Sequence, residues 1–245
     1  MRTSWRTNLL LLLILLSAVF YGINYGVYRD TTYMGRLLTM QLGFVPIQVI
    51  LITLFLNSVI AGREKRARLA KLNMVIGSFF SEFGERLLRI FTDLDPKGDN
   101  LKRGVLLARE WTDSDFGAAH DYVKKHDYSI RINVDRLLEL RKFLLTKRTF
   151  MLWLVENPNL LEHESFTDLL MSVFHLTEEL AHRGDLSTLP DADYKHLADD
   201  IKRVYKSLLT EWLEYMKHIS ISYPYFYALS VRANPLNPAA RPEVT

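Results

Sequence analysis

The chain has 245 residues, 49% of them hydrophobic, with 31 Lys and Arg against 28 Asp and Glu and no cysteine. A mean hydropathy of zero is too apolar for disorder and too polar for full embedding in lipid, so the chain must divide into membrane and water-facing parts. Without cysteine, disulfide frameworks, thiolate metal sites and cysteine nucleophiles are excluded.

The charge divides as well. Residues 1–71 hold nine Lys/Arg and two Asp/Glu, leaving 22 and 26 for the remainder. The basic excess therefore belongs to membrane flanks, and the slightly acidic remainder excludes a nucleic-acid partner, which needs its basic surface on the soluble part.

In chain order, Asn8 to Tyr28 follows Arg2 and Arg6 with an apolar run and then YGINYGVY. A basic start, an apolar centre and small Ser17 and Ala18 have the layout of a signal peptide. The missing small-x-small site and the aromatic continuation favour a retained span instead. Ala18, Gly22 and Gly26 recur every four residues and form a small-residue packing face. Its expected partner is the second span of the same chain, with a neighbouring subunit as the alternative.

RDTTYMGR (Arg29 to Arg36) reads as a short outer loop. The second span, Leu37 to Ala61, is 25 residues without a formal charge, roughly 37 Å as a helix against a hydrocarbon core of about 30 Å. Gln41 and Gln48 share one face and Asn57 lies near the opposite one. Polar groups in lipid bind neighbouring helices or line a cavity, and Pro46 predicts a kink or irregular turn between the glutamines. Residues 62–71 carry Arg63, Lys65, Arg66, Arg68 and Lys71 against one acid. Such a flank sits on the cytoplasmic side against anionic lipid. Both termini are thus expected in the cytoplasm, in a plasma or inner membrane.

Gly62 is expected to end the span. Leu69, Leu72, Ile76, Phe79, Phe80, Phe83, Leu87, Ile90 and Leu94 then fall in one helical stripe, with Lys71, Glu82, Glu85 and Arg89 opposite. The stripe is expected to pack on the downstream bundle. DLDPKGDN (Asp93 to Asn100) matches part of a calcium loop. Lys97 replaces an oxygen ligand and Gly104 the bidentate acid, so the stretch reads as a turn.

Ser114 is a candidate cap for a helix to about Lys125. YSIRIN (Tyr128 to Asn133) alternates like a strand but has no second strand to pair with. Val134 to Glu156 is read as one helix whose end, FMLWLV (Phe150 to Val155), is apolar all round and so expected at the bundle centre. Ser165 with Asp168 makes a variant capping box for a helix to about His182. On that helix His175, Glu178, Glu179 and His182 share a face, an arrangement able to grip one metal ion. Because Leu169, Leu170, Val173, Leu176 and Leu180 occupy the opposite arc, a solvated charged face is the favoured reading.

Pro190 opens a long helix to about His218. The aromatic run Tyr223 to Tyr227 then leads into a Pro-rich tail, which either docks on the bundle or meets lipid headgroups.

The sequence thus reads as all-α. A two-span hairpin (residues 1–61, spans 8–28 and 37–61) and a basic linker (62–71) precede a cytoplasmic helical domain (72–222) and an aromatic, Pro-rich end (223–245). HExxH, GxSxG, Walker A and Rossmann patterns are absent from the sequence, and no cofactor is expected. The function expected is that of a non-catalytic membrane-anchored interaction or scaffold protein. Its partners would be the bilayer, further copies of itself and a cytoplasmic protein. The alternatives are a subunit of a small oligomeric channel lined by the second span, or a metal-dependent enzyme using the Glu178 to His182 face.

Overall fold

The computed structural model describes residues 5–243 except 159, 161, 162, 238 and 242, and describes side chains for 11–27, 29–63 and from 71 onward. It is all-α, and no strand occurs among the described residues. The chain divides into two compact units, Met1–Lys65 and Arg66–Thr245.

In the first unit α1 (Trp5–Tyr28) is followed by α2, which begins at Thr31. The expected loop from Arg29 to Arg36 is therefore only two residues long, and both have local causes. Arg29 adopts the left-handed conformation, φ 49, and its N–H donates to the Tyr25 carbonyl at 3.0 Å. Asp30 Oδ1 then accepts from the backbone N–H groups of Thr32 and Tyr33 at 3.0 and 2.9 Å, which satisfies donors that a helix start leaves open.

Helix α2 (Thr31–Phe79) continues through Pro46 and through Gly62, so the expected stop at Gly62 does not occur. A helix-ending glycine works by adopting positive φ, and no described glycine does so. An interior glycine costs only about 1 kcal/mol relative to alanine, too little to halt a long helix.

In the second unit α2 passes into a single π-helical turn, Phe80–Gly84, where the Glu85 N–H donates to the Phe80 carbonyl, and then into α3 (Glu85–Leu94). The stripe packs on the bundle as expected: Leu72, Ile76, Phe79, Phe80, Phe83, Leu87, Ile90 and Leu94 are all buried, while the side chain of Leu69 lies outside the described residues. The Phe79 ring meets Phe166 edge-on, Phe80 stacks on Tyr215, and Phe83 stacks on Phe143. Each buried phenylalanine contributes roughly 1.5–3 kcal/mol. Gly84 is small by necessity, because a Cβ there would lie 2.6 Å from the Phe80 ring. The π turn also leaves Glu85 half-buried, unlike the exposed position expected on the polar face.

After the Asp95 to Lys97 turn come α4 (Gly98–Gly104) and α5 (Asp113–Lys125). The turn is not built around an ion: the Asp95 carboxylate is buried against His126 Nε2 at 2.9 Å, and Lys97 pairs with Asp127. Thr112, not Ser114, caps α5, because its hydroxyl accepts from the Asp115 N–H while the Asp115 carboxylate accepts from the Thr112 N–H. YSIRIN stays extended, tied by the Arg131 N–H to the Leu94 carbonyl at 2.9 Å.

The helix expected from Val134 to Glu156 is two, α6 (Val134–Thr146) and α7 (Arg148–Val155), which part at Lys147. Lys147 leaves helical geometry and its ammonium reaches Glu82 at 3.0 Å. The FMLWLV segment is not the centre of the bundle. Only Met151 and Leu154 are buried, while Leu152, Trp153 and Val155 are exposed. Eight residues give barely two turns, and one face suffices to dock them.

The centre is α9 (Asp191–Ser222), which packs against α3, α5, α8 and α10. It buries Leu197, Ile201, Tyr205, Leu208, Trp212 and Met216 along one side. Helix α8 (Glu164–His182) is capped by His163 Nδ1, which accepts from the Phe166 N–H, and not by Ser165. Helix α10 (Pro224–Arg232) docks through Tyr227, whose hydroxyl donates to the Ala108 carbonyl at 2.8 Å. Tyr225 and Phe226 on the same helix remain exposed. Farther on, Leu236 and Asn234 are buried, so this part of the tail docks on the bundle.

Candidate functional site

The densest group of ligating side chains lies where α8 faces α9. From α8 come His175 and Glu179, one turn apart. From α9 come His196 and Asp200, with the same spacing. An offset of four residues stacks two side chains on one helix face, so two such pairs on packed helices meet as a square of four groups. His175 Nε2 lies 3.5 Å from Asp200 Oδ2 and 3.9 Å from Glu179 Oε1. His196 Nε2 lies 3.4 Å from Asp200 Oδ2 and 3.5 Å from Glu179 Oε2. The ligating atoms of His175, His196 and Asp200 all fall within 4.8 Å of one another.

The environment is asymmetric. Asp200 is only 2% exposed, whereas both histidines are half open to solvent. Neither Asp200 oxygen has a hydrogen-bond partner among the described residues. Arg203 Nη2 stands 3.1 Å from Oδ1, out of hydrogen-bond alignment. On the other carboxylate, Arg183 donates to Glu179 Oε2 at 2.5 Å and also reaches Asp193 at 3.2 Å. The Arg183 guanidinium holds the Glu179 carboxyl below the usual carboxylate range, so that group is ionised at neutral pH.

Of the four side chains singled out on α8, the structure brings together His175 and Glu179 and separates the other two. Glu178 pairs with Arg148 at 3.0 Å. His182 points into solvent, 79% exposed, with Nδ1 2.8 Å from the Glu178 carbonyl oxygen. His196 and Asp200 are absent from the sequence expectation, although their His-x-x-x-Asp spacing is visible there. What the sequence does not display is which face of α9 meets α8.

In the first unit, the Tyr21 hydroxyl donates to Gln41 Oε1 at 2.5 Å, linking α1 and α2. Gln48 and Asn57 are exposed. The small-residue face does not meet α2: Ala18 is exposed, and a Cβ at Gly22 or Gly26 would have nothing within 4 Å. The expected packing of that face inside the chain is thus not made. The cleft between α1 and α2 is lined on the α1 side by Ser17, Phe20, Tyr21 and Asn24. Arg63 and Lys71 are exposed, and the side chains of Lys65, Arg66 and Arg68 lie outside the described residues. Thr31–Arg63 is long and apolar enough to cross a membrane, and none of its apolar window is buried. The apolar part of α1 described with side chains, Leu11–Val27, is shorter.

Comparison with known sequences places this architecture. Residues 68–232 match the family described as "Uncharacterized protein MJ1433, C-terminal helical domain", and residues 1–60 match its N-terminal helical domain. The chain belongs to the MJ1433 family. The protein of that name from Methanocaldococcus jannaschii is 42% identical over 225 residues, which cover 92% of this chain and 90% of the relative. No solved structure matches the chain. In this family member the two matched segments meet the structural units closely, since residue 60 precedes and residue 68 follows the boundary between Lys65 and Arg66. The α8/α9 cluster lies wholly inside the C-terminal helical domain.

Proposed function

We propose that the protein is a membrane-anchored helical module. In this reading α1 and α2 span the bilayer as a hairpin, both termini face the cytoplasm, and the Arg66–Thr245 unit presents its surface to a protein partner without catalysing a reaction. The observation that carries it is the Thr31–Arg63 stretch, none of whose apolar window is buried, in a chain whose other unit has a continuous core of buried apolar side chains. Apolar surface on that scale is at home in lipid and not in water. The basic residues from Arg63 to Lys71 support a cytoplasmic position for the helical unit downstream of them. Trp153, Tyr225 and Phe226, exposed on the helical unit, supply the residue types in which protein interfaces are enriched. The hydrogen bond from Tyr21 to Gln41 favours helix-to-helix glue over a pore lining for that glutamine.

The chain has no cysteine, so single cysteines report topology directly. Thr32→Cys, in the first turn of α2 beside the turn between the two helices, is expected to react with a membrane-impermeant maleimide on intact cells. Lys206→Cys is expected to react only after lysis. Labelling of both from the same side would sink the hairpin.

A further inference from the structure

We propose that His175, His196 and Asp200 form a three-ligand site for a divalent transition-metal ion of the zinc class, which clips α8 to α9. The separations carry the argument. A charge-assisted hydrogen bond between imidazole and carboxylate has a heavy-atom distance of about 2.7–2.9 Å. The two imidazole contacts to Asp200 Oδ2 measure 3.4 and 3.5 Å. They are too long for such bonds, yet both converge on one oxygen. Ligands placed about 2.05 Å from a tetrahedral ion are about 3.3 Å apart from one another, and both contacts fall within a few tenths of an ångström of that edge.

Asp200 supplies an independent reason. A carboxylate buried without a hydrogen bond bears a desolvation penalty of several kcal/mol unless an opposite charge offsets it. Arg203 offsets the charge at Oδ1, 3.1 Å away, and Oδ2 is left between two imidazole nitrogens, 3.5 and 3.4 Å from them. Two neutral imidazoles offer lone pairs there, and a cation between them and Oδ2 satisfies all three at once.

The other charged neighbours agree with this assignment. Arg183 occupies Glu179 Oε2, and Arg203 stands by Asp200 Oδ1 and leaves Oδ2 for the ion. Guanidinium groups behind ligating carboxylates are outer-shell partners that fix ligand orientation. Two imidazoles with one carboxylate suit zinc and its first-row neighbours, whereas calcium and magnesium require six or more oxygens. Three protein ligands leave the fourth tetrahedral position open.

The test uses the full-length protein in mild detergent, stripped with a chelator, equilibrated with Zn²⁺ and desalted before elemental analysis. One zinc per chain is expected, together with a rise in the thermal midpoint that neither Mg²⁺ nor Ca²⁺ reproduces. The His175→Ala/His196→Ala double variant is expected to lose both effects, while His182→Ala keeps them. Both histidines are half-exposed, so the double variant is expected to fold. His196→Gln, closer in size, is to bind zinc at least ten-fold more weakly in competition with a chromophoric chelator. Absence of stoichiometric zinc overturns the site. So does zinc retained by the double variant, or equal binding of Mg²⁺.

Discussion

Glu85 gives the helical unit a pH dependence opposite in sign to that of an ordinary paired carboxylate. The π turn brings it into a half-buried position, and burial pushes its carboxyl up to about 7, with Arg89 one turn away offsetting only part of the shift. From the ordinary value of 4.5 that is a rise of about 2.5 units, or about 3 kcal/mol as an upper bound. In the unfolded chain Glu85 ionises near pH 4.5, whereas in the folded chain it stays protonated to about pH 7. The folded state therefore binds the extra proton, and stability falls as pH rises between those values. Above pH 7 the buried group is ionised and the loss is complete.

Glu85→Gln keeps the shape and removes the charge, so its stability is expected to stay level across the same window. For a unit of this size 1 kcal/mol moves the thermal midpoint by roughly 2–4 °C. The wild type is thus expected to fall by up to about 10 °C relative to the variant between pH 5 and pH 8. The assay is thermal unfolding of the full chain in detergent, followed by fluorescence, for which the fully buried Trp212 is a core reporter. Carboxylates held low by partners, such as Asp99, Asp127 and Asp185, titrate below the window and cancel in the difference between the two proteins. A difference that stays flat from pH 5 to pH 8 would refute the placement of Glu85.

Gly98→Ala would set a Cβ 2.3 Å from the Thr92 carbonyl oxygen. Backbone must move to admit it, so a loss of roughly 1–3 kcal/mol is expected in thermal unfolding, and an unchanged midpoint would show that the turn is looser than described. Gly22→Leu, by contrast, adds its side chain to open space. It is expected to leave stability within about 0.5 kcal/mol, and a clear drop in the midpoint would show that the small-residue face of α1 is packed after all.

The fold was legible wherever one helix face decides the outcome. The period of Leu197, Ile201, Val204, Leu208 and Trp212 marks α9, and all five are buried. The stripe from Leu72 to Leu94 marks the segment that docks. What escaped the sequence depends on partners distant in the chain or on small differences in backbone energy. The π turn changes helical phase by one residue, and its cause lies in three phenylalanines meeting α6, α8 and α9 at once. The exposure of Trp153 depends on α9 having taken the central place. The candidate site was half visible, because periodicity locates His175 and Glu179 on one face of α8. Only packing tells that His196 and Asp200 stand opposite, while Glu178 turns to Arg148.

The continuity of α2 bears on how the helical unit could be cut away from the apolar Thr31–Arg63 stretch. The helix that carries the apolar Thr31–Arg63 stretch also supplies Leu72, Ile76 and Phe79 to the core. A protease that cut beyond Leu72 would remove part of that core and liberate a damaged bundle. A cut before Leu72 would fall in residues that are helical, so it must await local opening of the backbone. Release of the helical unit by proteolysis ahead of Leu72 therefore depends on how readily this part of α2 opens.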